Sequence, residues 1–205
     1  AFTCCDNYTG PADAEKPEGF AYAIINGAGS YPDARMTINY ATVYGNMNGV
    51  LSGSGGTLTV KDGSYTLGNA AIGDNPTSYR MIYTSGSGQV IVEDGAFTRN
   101  VNNNNAFFGD YSDTGEGIII RGGTFENAID GKGIVADQGV VSISGGEFKD
   151  AISTTSSASI VVTGGTFPKD NPPTEYLQDG YIVDSDGTIK ESGTRLFASG
   201  TGSAA

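Results

Sequence analysis

The sequence predicts an all-β fold, a single-domain parallel β-helix forming a right-handed solenoid of about six coils, and three observations carry that expectation. The first is an internal repeat: TLTVKDGSY (57–65), VIVEDGAF (90–97), IIIRGGTF (118–125), VSISGGEF (141–148) and IVVTGGTF (160–167) each pass from a β-branched run through glycine to an aromatic. The second is alternation within the runs, at Val90/Val92, Ile118/Ile120, Val141/Ile143 and Ile160/Val162, which turns one apolar face inward. The third is where the length varies. From ring to ring (65, 97, 125, 148, 167) the steps shrink through 32, 28, 23 and 19 residues, yet the strand-bend-aromatic unit keeps its length. Such variation is what a solenoid shows when its loops leave from one side. No rung can bury its own apolar face, so each needs the next. Parallel strands joined this way cross over right-handedly, and at about 4.8 Å per rung the body is about 25–30 Å long. A β-sandwich also has short, regularly spaced strands, but it does not repeat one motif in one register.

Along the chain, residues 1–35 read as an N-terminal cap or assembly segment. They hold Pro11, Pro17 and Pro32 and no rung motif, and 20–25 (Phe-Ala-Tyr-Ala-Ile-Ile) is a turn or strand able to lie over the first coil. Residues 36–168 are the β-helix, beginning with an early coil at 36–44 that lacks the glycine bend. Short apolar pieces at 79–83, 106–108 and 133–136 supply a second or third strand per coil, and the Ala-Ile pairs after Phe125 and Phe148 supply the next inward step. Residues 169–190 form a C-terminal cap, with Ser185-Asp186-Gly187 as the turn of a hairpin. The tail, 191–205, is rich in glycine, serine and alanine apart from 194–198; alone in water it is expected to be disordered.

Composition narrows the function. The chain has 205 residues, 32 glycines, no histidine and no tryptophan. A net charge of −12 repels nucleic acid and anionic lipid. No apolar run approaches the ~20 residues of a membrane span. The chain starts at Ala1 without methionine or a signal-type apolar region, which points to a secreted chain with its leader removed or to a trimmed chain. The adjacent Cys4 and Cys5 are free, ring-bonded to each other, or candidates for an intermolecular disulfide. Asn7-Tyr8-Thr9 makes Asn7 a candidate glycosylation acceptor. Two cysteines without histidine make a poor zinc site, and neither a metal nor a cofactor is expected.

An enzyme of the polysaccharide-cleaving kind places paired carboxylates, or a carboxylate and a base, on one strand face across adjacent coils. Glu93, Asp94 and Arg121, with Lys61 and Asp62 one coil earlier, sit at equivalent positions before the bend. The same positions later hold Ser144 and Thr163, so these charges read as solvated outward residues rather than a catalytic groove. Asp184 to Gly187 resembles the start of a calcium loop but lacks its later ligands, and a hairpin turn accounts for it. Asn102 to Asn105 read as a polar loop. Tyr79, Tyr83, Phe107, Phe108 and Tyr111 fall in the long segments of the widest coils. Of these Tyr79, Phe107, Phe108 and Tyr111 are the candidates for contact with a glycan or a neighbouring subunit.

The Gly-Gly-x-Phe rungs at 122–125, 145–148 and 164–167, followed by Asn171-Pro-Pro-Thr-Glu-Tyr-Leu-Gln-Asp-Gly-Tyr181, resemble the β-helix repeats of secreted bacterial adhesin-like surface proteins and, more distantly, the pectin-lyase-like superfamily. The resemblance covers about 57–183 and implies the fold; for activity it implies little, because this architecture serves lyases, hydrolases, tailspikes and plain stalks alike. The expected function is a non-enzymatic extracellular or cell-surface structural protein, assembling head to tail with copies of itself into a filament or surface layer. A carbohydrate-binding adhesin or tailspike-like module is the alternative, and a polysaccharide lyase or hydrolase the second alternative.

Overall fold

The computed structural model describes residues 2–4, 22–26, 33–45, 49–53, 55–68, 80–101, 106–113, 115–129 and 132–193. Among them the chain is all-β and mostly parallel. Two short strands come first, β1 (Phe2–Cys4) and β2 (Tyr22–Asn26). Strands then recur in threes. They run β3 (Arg35–Ile38), β4 (Ala41–Gly45) and β5 (Gly49–Gly53), followed by β6 (Gly56–Val60), β7 (Gly63–Leu67) and β8 (Ile82–Gly86). Next are β9 (Gly88–Val92), β10 (Ala96–Arg99) and β11 (Phe108–Ser112), then β12 (Ile118–Ile120), β13 (Thr124–Asn127) and β14 (Ile134–Ala136). The series closes with β15 (Gly139–Phe148), β16 (Ile152–Thr154) and β17 (Ala158–Thr166), and an antiparallel pair, β18 (Tyr181–Val183) with β19 (Ile189–Glu191), follows.

From β1 to β11, each strand pairs in parallel with the strand three places further on. Three ladders result. The first holds β3, β6, β9, β12, β15 and β17; the second holds β1, β4, β7, β10, β13 and the end of β15; the third holds β2, β5, β8, β11, β14 and β16. β15 is long enough to serve the first two ladders at once, and its pairing with β17 shifts register on both sides of Ser144. Within the segment expected as a cap, β1 and β2 are thus rungs of the second and third ladders.

Alternation and register together build the core. Leu58, Val90, Ile118, Val141 and Ile160 lie in one row, and Val60, Val92, Ile120, Ile143 and Val162 in the next. None is more than 5 % exposed. Burying one such side chain is worth about 1.5–3 kcal/mol, and it happens only because a strand lies above and below. On the second ladder Tyr65, Phe97, Phe125, Phe148 and Phe167 form a continuous buried stack, with neighbouring centroids 4.6–5.0 Å apart and planes within 14°. The rung spacing sets that separation.

The corner between the first two ladders explains the repeated glycines. The second glycine of each bend has positive φ, from 96° at Gly123 to 135° at Gly63, a region where a Cβ is strained. The first is held by space: a Cβ on Gly145 would lie 2.1 Å from the Arg121 carbonyl oxygen of the neighbouring coil. Two earlier bends put aspartate in that first place, and Asp62 and Asp94 each accept the amide hydrogen of the following glycine, at 2.7 and 2.8 Å.

The two ends differ. At the C-terminal end the segment after Phe167 folds back over the last rung. Leu177 bridges to Val162, the Gln178 amide donates to the Val162 carbonyl, and the Phe167 amide donates to the Gly187 carbonyl. Tyr176, Leu177, Tyr181 and Val183 pack on the core, and Ile189 is buried in it. At the N-terminal end Met36 occupies the inward row of Leu58 but is 36 % exposed.

Candidate functional site

The aromatic candidates divide. Phe107 and Phe108 are core, at 1 % and 0 % exposure, which corrects their assignment as surface contacts. Phe108 stands in register between Ile82 and Ala136 on the inward side of the third ladder, and both rings meet Phe125, at 6.2 and 5.9 Å. The apolar piece at 106–108 leads into β11, as its expected role as a strand of the coil requires, and both rings go to the inward side of that strand. Tyr111 is 41 % exposed on the outer side of β11. Tyr79, Asn7 and Cys5 lie outside the described residues, and of Cys4 only its place on β1 is described.

Around Tyr111 the third ladder assembles a polar and aromatic cluster from three successive rungs. Tyr83 of β8 lies beside Gly109 of β11, and Tyr111 lies beside Ser85, so the two tyrosines are set diagonally, with ring centroids 5.4 Å apart and tilted by 35°. Arg80, just before β8, reaches across to Asp137, just after β14. Its Nε donates to both carboxylate oxygens at 3.0 and 2.9 Å, and its Nη2 donates to Asp137 Oδ2 and, at 2.6 Å, to the Tyr111 hydroxyl. The guanidinium carbon stands 4.8 Å from the Tyr111 centroid and 5.9 Å from that of Tyr83, within cation–π range. Burial raises the Tyr111 phenol, against the opposing pull of Arg80, so it stays neutral near physiological pH. Arg80 and Asp137 are 57 residues apart, and only the register brings them together.

A second carboxylate is buried outright. Asp110, 2 % exposed, accepts from Thr84 Oγ1 at 2.6 Å and from the amides of Ser112, Gly117 and Val140 at 2.9, 2.9 and 3.2 Å. Burial pushes its pKa up, but the hydrogen bonds from Ser112, Thr84 and Gly117 outweigh it and hold the group below the usual carboxylate range. It fastens the 112–117 segment to the corner at Val140. Arg99 is also buried; its Nη1 donates to the Val101 carbonyl at 3.0 Å, and burial lowers its pKa to about 10. Neither role has a local signature in the sequence.

The acid–base candidates form no pocket of paired carboxylates. Lys61 and Glu93 make an exposed ion pair at 3.6 Å, while Asp62 and Asp94 are engaged in their bends. Asp184 accepts from the Ser185 amide and pairs with Lys190, and Asp186 accepts from the Thr188 amide, so the hairpin turn uses both carboxylates. Among the described residues no group of three or more potential metal ligands occurs. Comparison with protein-family models, with curated proteins and with solved structures finds no match for this chain.

Proposed function

We propose that this chain is a right-handed parallel β-helix of about six coils that serves as a non-catalytic structural protein outside the cell, assembling head to tail with copies of itself by strand addition. One observation carries the reading. At the N-terminal end the second and third ladders run one strand further than the first, so among the described residues β3 has a strand on one side only. An inward position, Met36, is left 36 % exposed beside that step. A strand added there would continue the first ladder and cover Met36.

The occupant we favour is the tail of a neighbouring copy. Residues 191–205 follow the C-terminal lid, and 194–198, Thr-Arg-Leu-Phe-Ala, is their one markedly apolar stretch. Donation from one end to the other does not close on itself and therefore propagates. β1 brings Cys4 to the same end, where a disulfide between copies would reinforce the joint. At net charge −12 the subunits repel, so added salt favours association.

Light scattering after size exclusion, with negative-stain imaging, tests the reading on the full chain and on a chain ending at Gly193, which keeps the Ser192 bonds to the Gly180 carbonyl. The full chain is expected to give concentration-dependent oligomers that grow with salt, and the shortened one to remain monomeric with an unchanged thermal transition. Compact monomers at every concentration and salt level, or equal assembly by both chains, would overturn it.

A further inference from the structure

We propose that Met36 is a redox-sensitive modification site at the open end of the first ladder, and that its conversion to the sulfoxide stops a further strand from adding there. The site stands on burial and register alone; its effect on joining copies rests on the assembly reading above.

The inward rows of the first ladder show why this position differs. In register, Met36 and Ile38 continue the rows of Leu58 and Val60. Leu58 and Val60 are wholly buried on β6, whereas β3 leaves Met36 36 % exposed and Ile38 half-buried. The row of Met36 otherwise holds Leu58, Val90, Ile118, Val141 and Ile160, which carry no sulfur. Its one thioether thus stands on the strand that, among the described residues, has a partner on one side only. Met81, just before β8, is wholly buried and supplies an internal reference. Met47 lies outside the described residues.

The chemistry is a two-electron oxygen transfer. Hydrogen peroxide gives one oxygen atom to the Met36 sulfur: the O–O bond breaks, an S–O bond forms, the thioether is oxidised to the sulfoxide and the peroxide is reduced to water. An exposed sulfur meets the oxidant directly, while a buried one waits for an opening. In the free chain water solvates the sulfoxide oxygen. Under an added strand that oxygen becomes a buried acceptor, because the amide hydrogens of the joint are spent on the ladder, and a buried polar atom without a donor opposes the joint. An added strand conversely covers Met36 and shields it. Joining and oxidation therefore exclude each other.

Hydrogen peroxide on the full chain tests this, with peptide mapping by mass spectrometry and light scattering after size exclusion. In dilute protein Met36 is expected to oxidise about tenfold or more faster than Met81, whose sulfur reacts only through opening. The oxidised chain is expected to need about tenfold more protein to assemble, the cost of one buried unpaired acceptor. Methionine sulfoxide reductases with dithiothreitol restore assembly and dithiothreitol alone does not, which separates the effect from the cysteines. Met36→Leu assembles with or without peroxide, and Met47→Leu stays sensitive. A wild type that is monomeric before any peroxide overturns the assembly reading and the switch that rests on it, while the mapping still decides the site. Equal rates at Met36 and Met81 overturn the site. Oxidised chain that assembles as readily as untreated chain, or peroxide that disperses Met36→Leu as well, overturns the switch alone.

Discussion

The two ends of this molecule are made from the same repeat and finish differently. At the C-terminal end the inward row stops at Ile160 and Val162, 5 % and 0 % exposed, because the chain returns over them with Leu177 and the β18–β19 pair. At the N-terminal end, among the described residues, the same row stops at Met36, with 36 % of its surface open and Leu58 in register on one side. A repeat specifies how each rung meets the next but says nothing about the last one. Termination needs separate sequence, and the non-repeating 171–191 stretch provides it at one end.

The contrast can be broken most sharply by deleting equivalent inward side chains. Phe125 sits mid-stack, 5.0 Å from Phe97 and 4.8 Å from Phe148. Phe125→Ala is expected to cost about 3–5 kcal/mol, as large-to-small core changes do, whereas Met36→Ala should cost about 1–2 kcal/mol because over a third of its surface stays open to water. Denaturant midpoints measure both. A Met36→Ala cost matching that of Phe125→Ala would mean that end is covered after all.

Leu177→Ala probes the lid and is expected to cost about 2 kcal/mol, reflecting partial burial. Hydrogen exchange should then quicken at the Val162 and Phe167 rungs while the β6–β9 rungs stay protected. Uniform loss of protection would show that lid and body unfold as one.

A further small effect concerns the middle. Asp110→Asn keeps the shape but weakens the charge-assisted bonds, for a loss of about 1–2 kcal/mol at pH 7. The folded pKa of Asp110 lies below its unfolded value of about 3.9. Its stabilisation is therefore complete above that value and disappears as pH falls through the folded pKa. The gap in unfolding free energy between wild type and Asp110→Asn should accordingly narrow below about pH 4. A gap that stays constant down to pH 2 would show that the charge contributes nothing.

Much of the architecture was legible because the repeat states it. The Tyr65–Phe167 aromatic series, the inward valines and isoleucines and the bends all follow from periodicity. The early coil at 36–44 was legible even without its glycine, and it appears as β3 and β4. The Ala-Ile pairs were half legible: Ile152 is buried, but Ala128 is exposed. Reading Phe107 and Phe108 as surface failed because a wide coil hides its inward residues in long, irregular segments. The Arg80–Asp137 bridge could not be read at all, since its members share no spacing or motif.

Local sequence, then, determined that these strands alternate, where they bend and which rings stack, because each of those properties is decided within a few residues. Which coil's arginine meets which coil's carboxylate depended on loop lengths summed over whole turns. Those sums set the register, and side chains far apart in the chain become neighbours only after the ladders are in place.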